Sequence, residues 1–60
     1  MTLYEKLSAG WILRRYYLMV EDSGGKRYAV EATERAWLSA RVGDSVILKT
    51  GETYSGQRVR

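Results

Sequence analysis

Gly10-Trp11-Ile12-Leu13-Arg14-Arg15-Tyr16-Tyr17-Leu18-Met19-Val20-Glu21 is the stretch on which the fold turns. It is crowded with the β-branched and aromatic residues that suit a pleated, half-buried surface. Strand alternation puts Ile12, Arg14, Tyr16, Leu18 and Val20 on one face. Trp11, Leu13, Arg15, Tyr17, Met19 and Glu21 then occupy the other. Both faces are largely apolar, as in a strand covered on both sides or bent around a barrel. The pattern therefore predicts a long strand over residues 11–21, opened by Gly10.

Downstream, Asp22-Ser23-Gly24-Gly25 has the composition of a hairpin turn. The return strand Lys26–Ala32 alternates cleanly, with Tyr28, Val30 and Ala32 on its apolar face. Thr33 can cap a single helical turn, and Glu34 suits the positive end of that turn's dipole. Trp37 and Leu38 would then plug one open end of the sheet. Val42-Gly43-Asp44 reads as a tight turn into a strand over Ser45–Thr50. Thr50-Gly51-Glu52-Thr53 reads as a second hairpin, and Tyr54–Val59 closes the sheet. Upstream, Leu3, Tyr4 and Leu7 share one helical face, but the stretch is too short for a stable isolated helix. Residues 2–8 read as a short first turn or strand.

Six glycines, at 10, 24, 25, 43, 51 and 56, punctuate these stretches as in a small all-β sheet or barrel. The expected architecture is all-β: one five-stranded SH3-like or OB-like barrel spanning residues 1–60, with a one-turn helical plug at Thr33–Ser39. Its expected core is Ile12, Tyr16, Leu18, Val20, Tyr28, Val30, Trp37, Leu38, Val42, Val46 and Leu48. Tyr16–Asp22, Gly25–Val30 and Val42–Leu48, with Trp37 upstream of the last, carry a further likeness. In these segments the chain resembles a diffuse set of short bacterial β-barrel domains of unknown function that share a Val-Gly-Asp turn. The resemblance implies a fold and carries no catalytic residues.

Composition excludes several classes. The chain of 60 residues has no Cys, His or Pro, so it has no disulfide framework, thiolate nucleophile, imidazole base or zinc site of the usual kind. A chain this short buries only about 60% of the surface it exposes when unfolded. The apolar runs Trp11–Leu13 and Tyr16–Val20 fall far short of the roughly 18 residues a membrane span needs. Met1–Leu7 lacks the apolar core of a secretory signal, so the cytoplasm is the expected compartment and no membrane partner is expected.

Catalysis is not expected either. Glu21 and Asp22 are adjacent on a strand end and point to opposite faces, so they do not converge as a pair. Gly24-Gly25-Lys26 lacks the upstream glycine, the following Ser/Thr and the helix of a phosphate loop. No cofactor, metal or small-molecule substrate is expected.

The remaining function class is binding. Ten Lys/Arg against seven Asp/Glu give a net charge of +3, a mild tilt toward polyanions. Across a hairpin turning at Asp22–Gly25, Arg27 would lie near Met19 or Val20. Arg15, Tyr17, Met19 and Arg27 would then share one face, with guanidinium groups flanking a ring. Such a face suits protein contact, through Trp11, Leu13, Tyr17 and Met19, as a homodimer or as a small accessory or inhibitory factor. The alternative is single-stranded or duplex nucleic acid, held by Arg15, Arg27, Lys49 and Arg58 with Tyr17 or Tyr54 stacking on bases. The plain reading is a second core face rimmed by snorkelling arginines. Of the two tryptophans, Trp37 in the plug is expected in the core and Trp11 beside Gly10 as an exposed anchor. Protein contact or self-association is the expectation carried forward, ahead of nucleic acid.

Overall fold

The structure, a computed structural model, describes residues 1–47 and 53–56 of the chain. Among these residues three strands, β1 (Thr2–Ala9), β2 (Arg15–Glu21) and β3 (Arg27–Ala32), are followed by one short helix, α1 (Glu34–Ser39). The strands form an antiparallel sheet in the order β1-β2-β3. This is an open sheet with one helix on it, and the expected closed five-stranded barrel is corrected accordingly.

The reason lies at the two sheet edges. Beside the start of β1 runs the segment around Ser45, where the Leu3 N–H donates to the Asp44 carbonyl (2.9 Å) and the Val46 N–H to the Met1 carbonyl (2.7 Å). At the end of β3, the Tyr54 N–H donates to the Glu31 carbonyl (2.8 Å) and the Thr33 N–H to the Tyr54 carbonyl (3.0 Å). Each is a single bridge, Thr2 with Ser45 and Ala32 with Tyr54, where the expected fourth and fifth strands needed ladders. Of those expected strands, residues 48–50 and 57–59 lie outside the described residues.

β1 explains why its own sequence reads ambiguously. Leu3 stands opposite Val20 and Glu5 opposite Met19, so Tyr4 is an extra residue and the strand carries a bulge. The bulge resets the period of two. Leu3 and Lys6 consequently fall opposite Val20 and Leu18 on the inner face, while Leu7 falls opposite Tyr17 on the outer one.

The turn between β2 and β3 shifts the expected register. Asp22 closes it with both backbone and side chain: its N–H donates to the Lys26 carbonyl (2.9 Å), and its Oδ1 accepts from the N–H groups of Gly24 and Lys26 (2.9 Å each). Gly25 supplies the positive φ of +85° that such a turn requires. Asp22 thus pairs with Lys26 instead of sitting in the turn. Arg27 falls opposite Glu21, not near Met19 or Val20.

The inner face of the sheet carries the core. Leu3, Leu18 and Val20 are fully buried, joined by Val30, Ala32, Ala36 and Val46, with Tyr28, Trp37, Ala40 and Tyr54 packed against them. Burying each of the three largest contributes about 1.5–3 kcal/mol.

Thr33 starts α1 as expected, its side chain accepting from the Ala36 N–H (3.2 Å). Ala36 is the helix residue buried on the sheet. The Trp37 ring lies 5.1 Å from Tyr16, and its Nε1 donates to the Tyr17 carbonyl (3.2 Å). The Lys6 Nζ donates to the Ala40 carbonyl (2.9 Å) and sits 4.4 Å over the Trp37 ring. The cation lies where the helix exposes its unpaired carbonyls, which favours it there.

Three expected core residues are exposed instead. Leu38 points away from the sheet at 64% exposure, because Ala36 and Trp37 hold the inward side of the helix. Val42 sits in the Val42-Gly43 turn at 66%. Ile12 is 80% exposed because β2 begins at Arg15, four residues later than the strand predicted from the sequence. Leu48 lies outside the described residues.

Candidate functional site

The expected contact face can be placed from the register. Arg15, Tyr17, Met19 and Glu21 of β2 lie on the outer face with Arg27, Ala29 and Glu31 of β3, and with Leu7 and Ala9 of β1. Arg15, Tyr17, Met19 and Arg27 therefore do share a face. Of the two arginines on that face, Arg27 is paired within it. The Arg27 Nε bonds Glu21 Oε2 at 3.3 Å, and the Arg27 guanidinium lies 4.7 Å over the Tyr4 ring from the β1 bulge. Glu31 stands opposite Tyr17, and Glu5 opposite Met19. Carboxylates beside the rings repel phosphate, so this is a poor track for a nucleic-acid backbone.

The other expected site residues are scattered. Tyr54 is half-buried against the core rather than offered for stacking. Lys49 and Arg58 lie outside the described residues. A groove of about 820 Å³ opens between α1 and the segments 43–46 and 54–56. Its charged lining is Arg35 and Asp44, and the Asp44 carboxylate accepts from the Arg41 N–H (2.8 Å). Among the described residues, no three Asp or Glu come together as metal ligands. No helix among them is long and apolar enough to cross a membrane.

The surface that stands out is the end of the β1–β2 hairpin. Trp11, Ile12 and Leu13 are 88%, 80% and 85% exposed, three consecutive large apolar side chains in open water. Exposed apolar runs of this length mark contact surfaces or aggregation-prone sites. Trp11 is exposed as expected.

Local geometry builds this tip. Gly10 takes a φ of +87°, and a β-carbon at that position would stand 2.5 Å from the Leu13 carbonyl oxygen. The chain thus reverses tightly from Gly10 to Leu13, and Trp11, Ile12 and Leu13 are left exposed on the reversal. Arg14 and Arg15 follow immediately and are both exposed. Among the described residues the only ion pair joins Arg27 to Glu21, so both arginines stand without a carboxylate partner. From Lys6 to Val20 the sequence contains no acidic residue.

Sequence reading reached Trp11, Leu13 and Arg15 as contact residues but placed Ile12 in the core and left Arg14 on the face of a strand. The signal that could have found the tip was β1 itself. Once residues 2–9 pair with 15–21, residues 10–14 can only be the turn.

No protein-family model, curated protein or solved structure matches the chain. The functional reading therefore rests on the geometry above.

Proposed function

We propose that the chain is a non-catalytic binding module that engages its partner through apolar contact made by the end of the β1–β2 hairpin. The observation that carries this reading is the exposure of Trp11, Ile12 and Leu13 together, beside two arginines with no ion pair among the described residues. Partner contact would recover the hydrophobic free energy left unused at the tip, about 25 cal/mol per Å² of apolar surface covered. The compartment proposed with it is the cytoplasm, in keeping with a chain that contains no cysteine. The nucleic-acid alternative is disfavoured, because Arg27, one of the two outer-face arginines, is already paired and Glu5, Glu21 and Glu31 lie among the rings.

Two measurements test the reading. On a phenyl resin at moderate salt, the protein should be retained, and a variant carrying Trp11→Ser, Ile12→Ser and Leu13→Ser should elute distinctly earlier. Equal retention of the two would sink the claim that the tip is the apolar contact element. In fluorescence anisotropy with labelled single-stranded and duplex oligonucleotides, no binding should survive physiological salt. Micromolar binding lost on Arg15→Ala or Arg27→Ala would instead establish the nucleic-acid reading.

A further inference from the structure

We infer that the partner is an anionic lipid surface, into whose interface the hairpin end dips; this rests on the binding reading above. Shape is the first argument. Three neighbouring side chains at 80% exposure or more form a wedge, not one wall of a cleft. A protein would need a concavity matched to that wedge, whereas the boundary between lipid headgroups and acyl chains accepts it without one.

Chemistry is the second argument. The wedge combines Trp, the residue most at home at the membrane interface, with two branched aliphatics that favour the acyl region. A wedge of three residues spans only the outer few ångströms, about the 5–10 Å depth reached by elements that lie on a membrane without crossing it.

Charge is the third. Arg14 and Arg15 follow the three apolar residues directly in the chain and are both exposed, which offers two cations to lipid phosphates and carboxylates beside the inserted wedge. The third cation of the hairpin, Lys6, is occupied at the Ala40 carbonyl, so these two are the ones available. Apolar insertion alone gives weak, reversible attachment, and a basic neighbour is the second signal that makes it useful. The surface that supplies negative charge to a cytoplasmic protein is the inner leaflet. The lack of a spanning helix does not bear on this, because lying on a membrane requires no span.

The test is co-sedimentation of the intact chain with vesicles of phosphatidylcholine alone and of phosphatidylcholine mixed with phosphatidylserine, with tryptophan emission recorded in parallel. Binding to the mixed vesicles is expected, with a blue shift from Trp11 and quenching by brominated acyl chains. The triple serine variant should lose binding by about a thousandfold or more, since each of the three large side chains it removes is worth about tenfold or more when covered. Arg14→Gln and Arg15→Gln should each weaken binding about fivefold and erode the preference for phosphatidylserine.

Three outcomes would overturn the proposal. One is binding to mixed vesicles that the serine variant retains and salt abolishes, which would be surface adsorption without insertion. Another is sedimentation showing self-association that the serine variant loses, with no vesicle binding; the occupant would then be a second copy. The third is absence of vesicle binding while the serine variant still elutes early from the phenyl resin, which would remove the lipid partner and leave the apolar contact reading in place.

Discussion

The Leu13 carbonyl oxygen lies so close over Gly10 that a β-carbon on residue 10 would stand 2.5 Å from it. The obstacle is backbone and cannot swing aside, and the φ of +87° is itself unfavourable for any L side chain. Gly10→Ala is therefore predicted to lower stability by about 2 kcal/mol, through strain rather than lost contact. Urea unfolding would measure it. A change below about 0.5 kcal/mol would show that the turn relaxes freely and that Gly10 does not hold the tip in place.

The tip itself contributes little to the fold. Trp11→Ser, Ile12→Ser and Leu13→Ser should each leave stability within about 0.5 kcal/mol of the parent, because the side chains have almost no packing to lose. Thermal unfolding of the three variants checks this. A loss near that of a core truncation would contradict the open geometry of the hairpin end.

Leu18 and Leu38 make a matched pair. Leu18 is fully buried on β2 and Leu38 is 64% exposed on α1, although both were expected in the core. Leu18→Ala should cost about 3 kcal/mol, a large share of what a chain this short commands, while Leu38→Ala should cost under about 0.5 kcal/mol. Denaturant midpoints of comparable size for the two would show that α1 packs by a different face.

Lys6 holds the end of α1 to the sheet. Lys6→Met keeps the apolar stem but removes both the bond to the Ala40 carbonyl and the charge over the Trp37 ring. A loss of about 1 kcal/mol is expected. Near-ultraviolet circular dichroism should change with it, since Trp37 loses the group that fixes its environment. An unaltered spectrum would count against that contact.

Asp22 makes the hairpin sensitive to acid. Its carboxyl is held below the ordinary aspartate range, chiefly by the Lys26 N–H, with the Gly24 N–H, the Tyr28 hydroxyl and the Lys26 charge adding to that and desolvation opposing it. A carboxyl lowered by folding stabilises the folded state fully above its unfolded value of about 3.9. That stabilisation is lost as pH falls through the lower folded value. The melting temperature should therefore drop on acidification below about pH 4, and drop less steeply in Asp22→Asn, which keeps an acceptor but does not titrate. Parallel acid slopes in the two proteins would rule out this role.

Much of the hairpin from β2 to β3 was legible in the sequence, for local reasons. The apolar face of Tyr28, Val30 and Ala32 follows from period-two alternation, and a turn ending at Gly25 from residues with a known preference for that backbone, although Asp22 pairs with Lys26 and shifts the register by one. The Thr33 cap and the short helix behind it were equally local. β1 was legible only as a short turn or strand, because the bulge at Tyr4 breaks the alternation and makes Leu3, Tyr4 and Leu7 look helical. That one irregularity carried the largest error. Without β1 as a partner for β2, Trp11–Leu13 read as strand, and closing the sheet seemed to need two further ladders.

What the amino-acid order determined by itself was therefore the short-range structure: which residues extend, where Gly25 and Asp22 reverse the chain, and where Thr33 starts a helix. These depend on φ preferences and on hydrogen bonds between near neighbours. Tertiary structure decided the rest. Pairing of β1 with β2 turned three apolar residues into an exposed tip, and the Asp22–Lys26 closure set Arg27 against Glu21. Whether an apolar side chain becomes core or contact surface depends on what the distant chain brings over it, and no spacing within residues 10–15 encodes that.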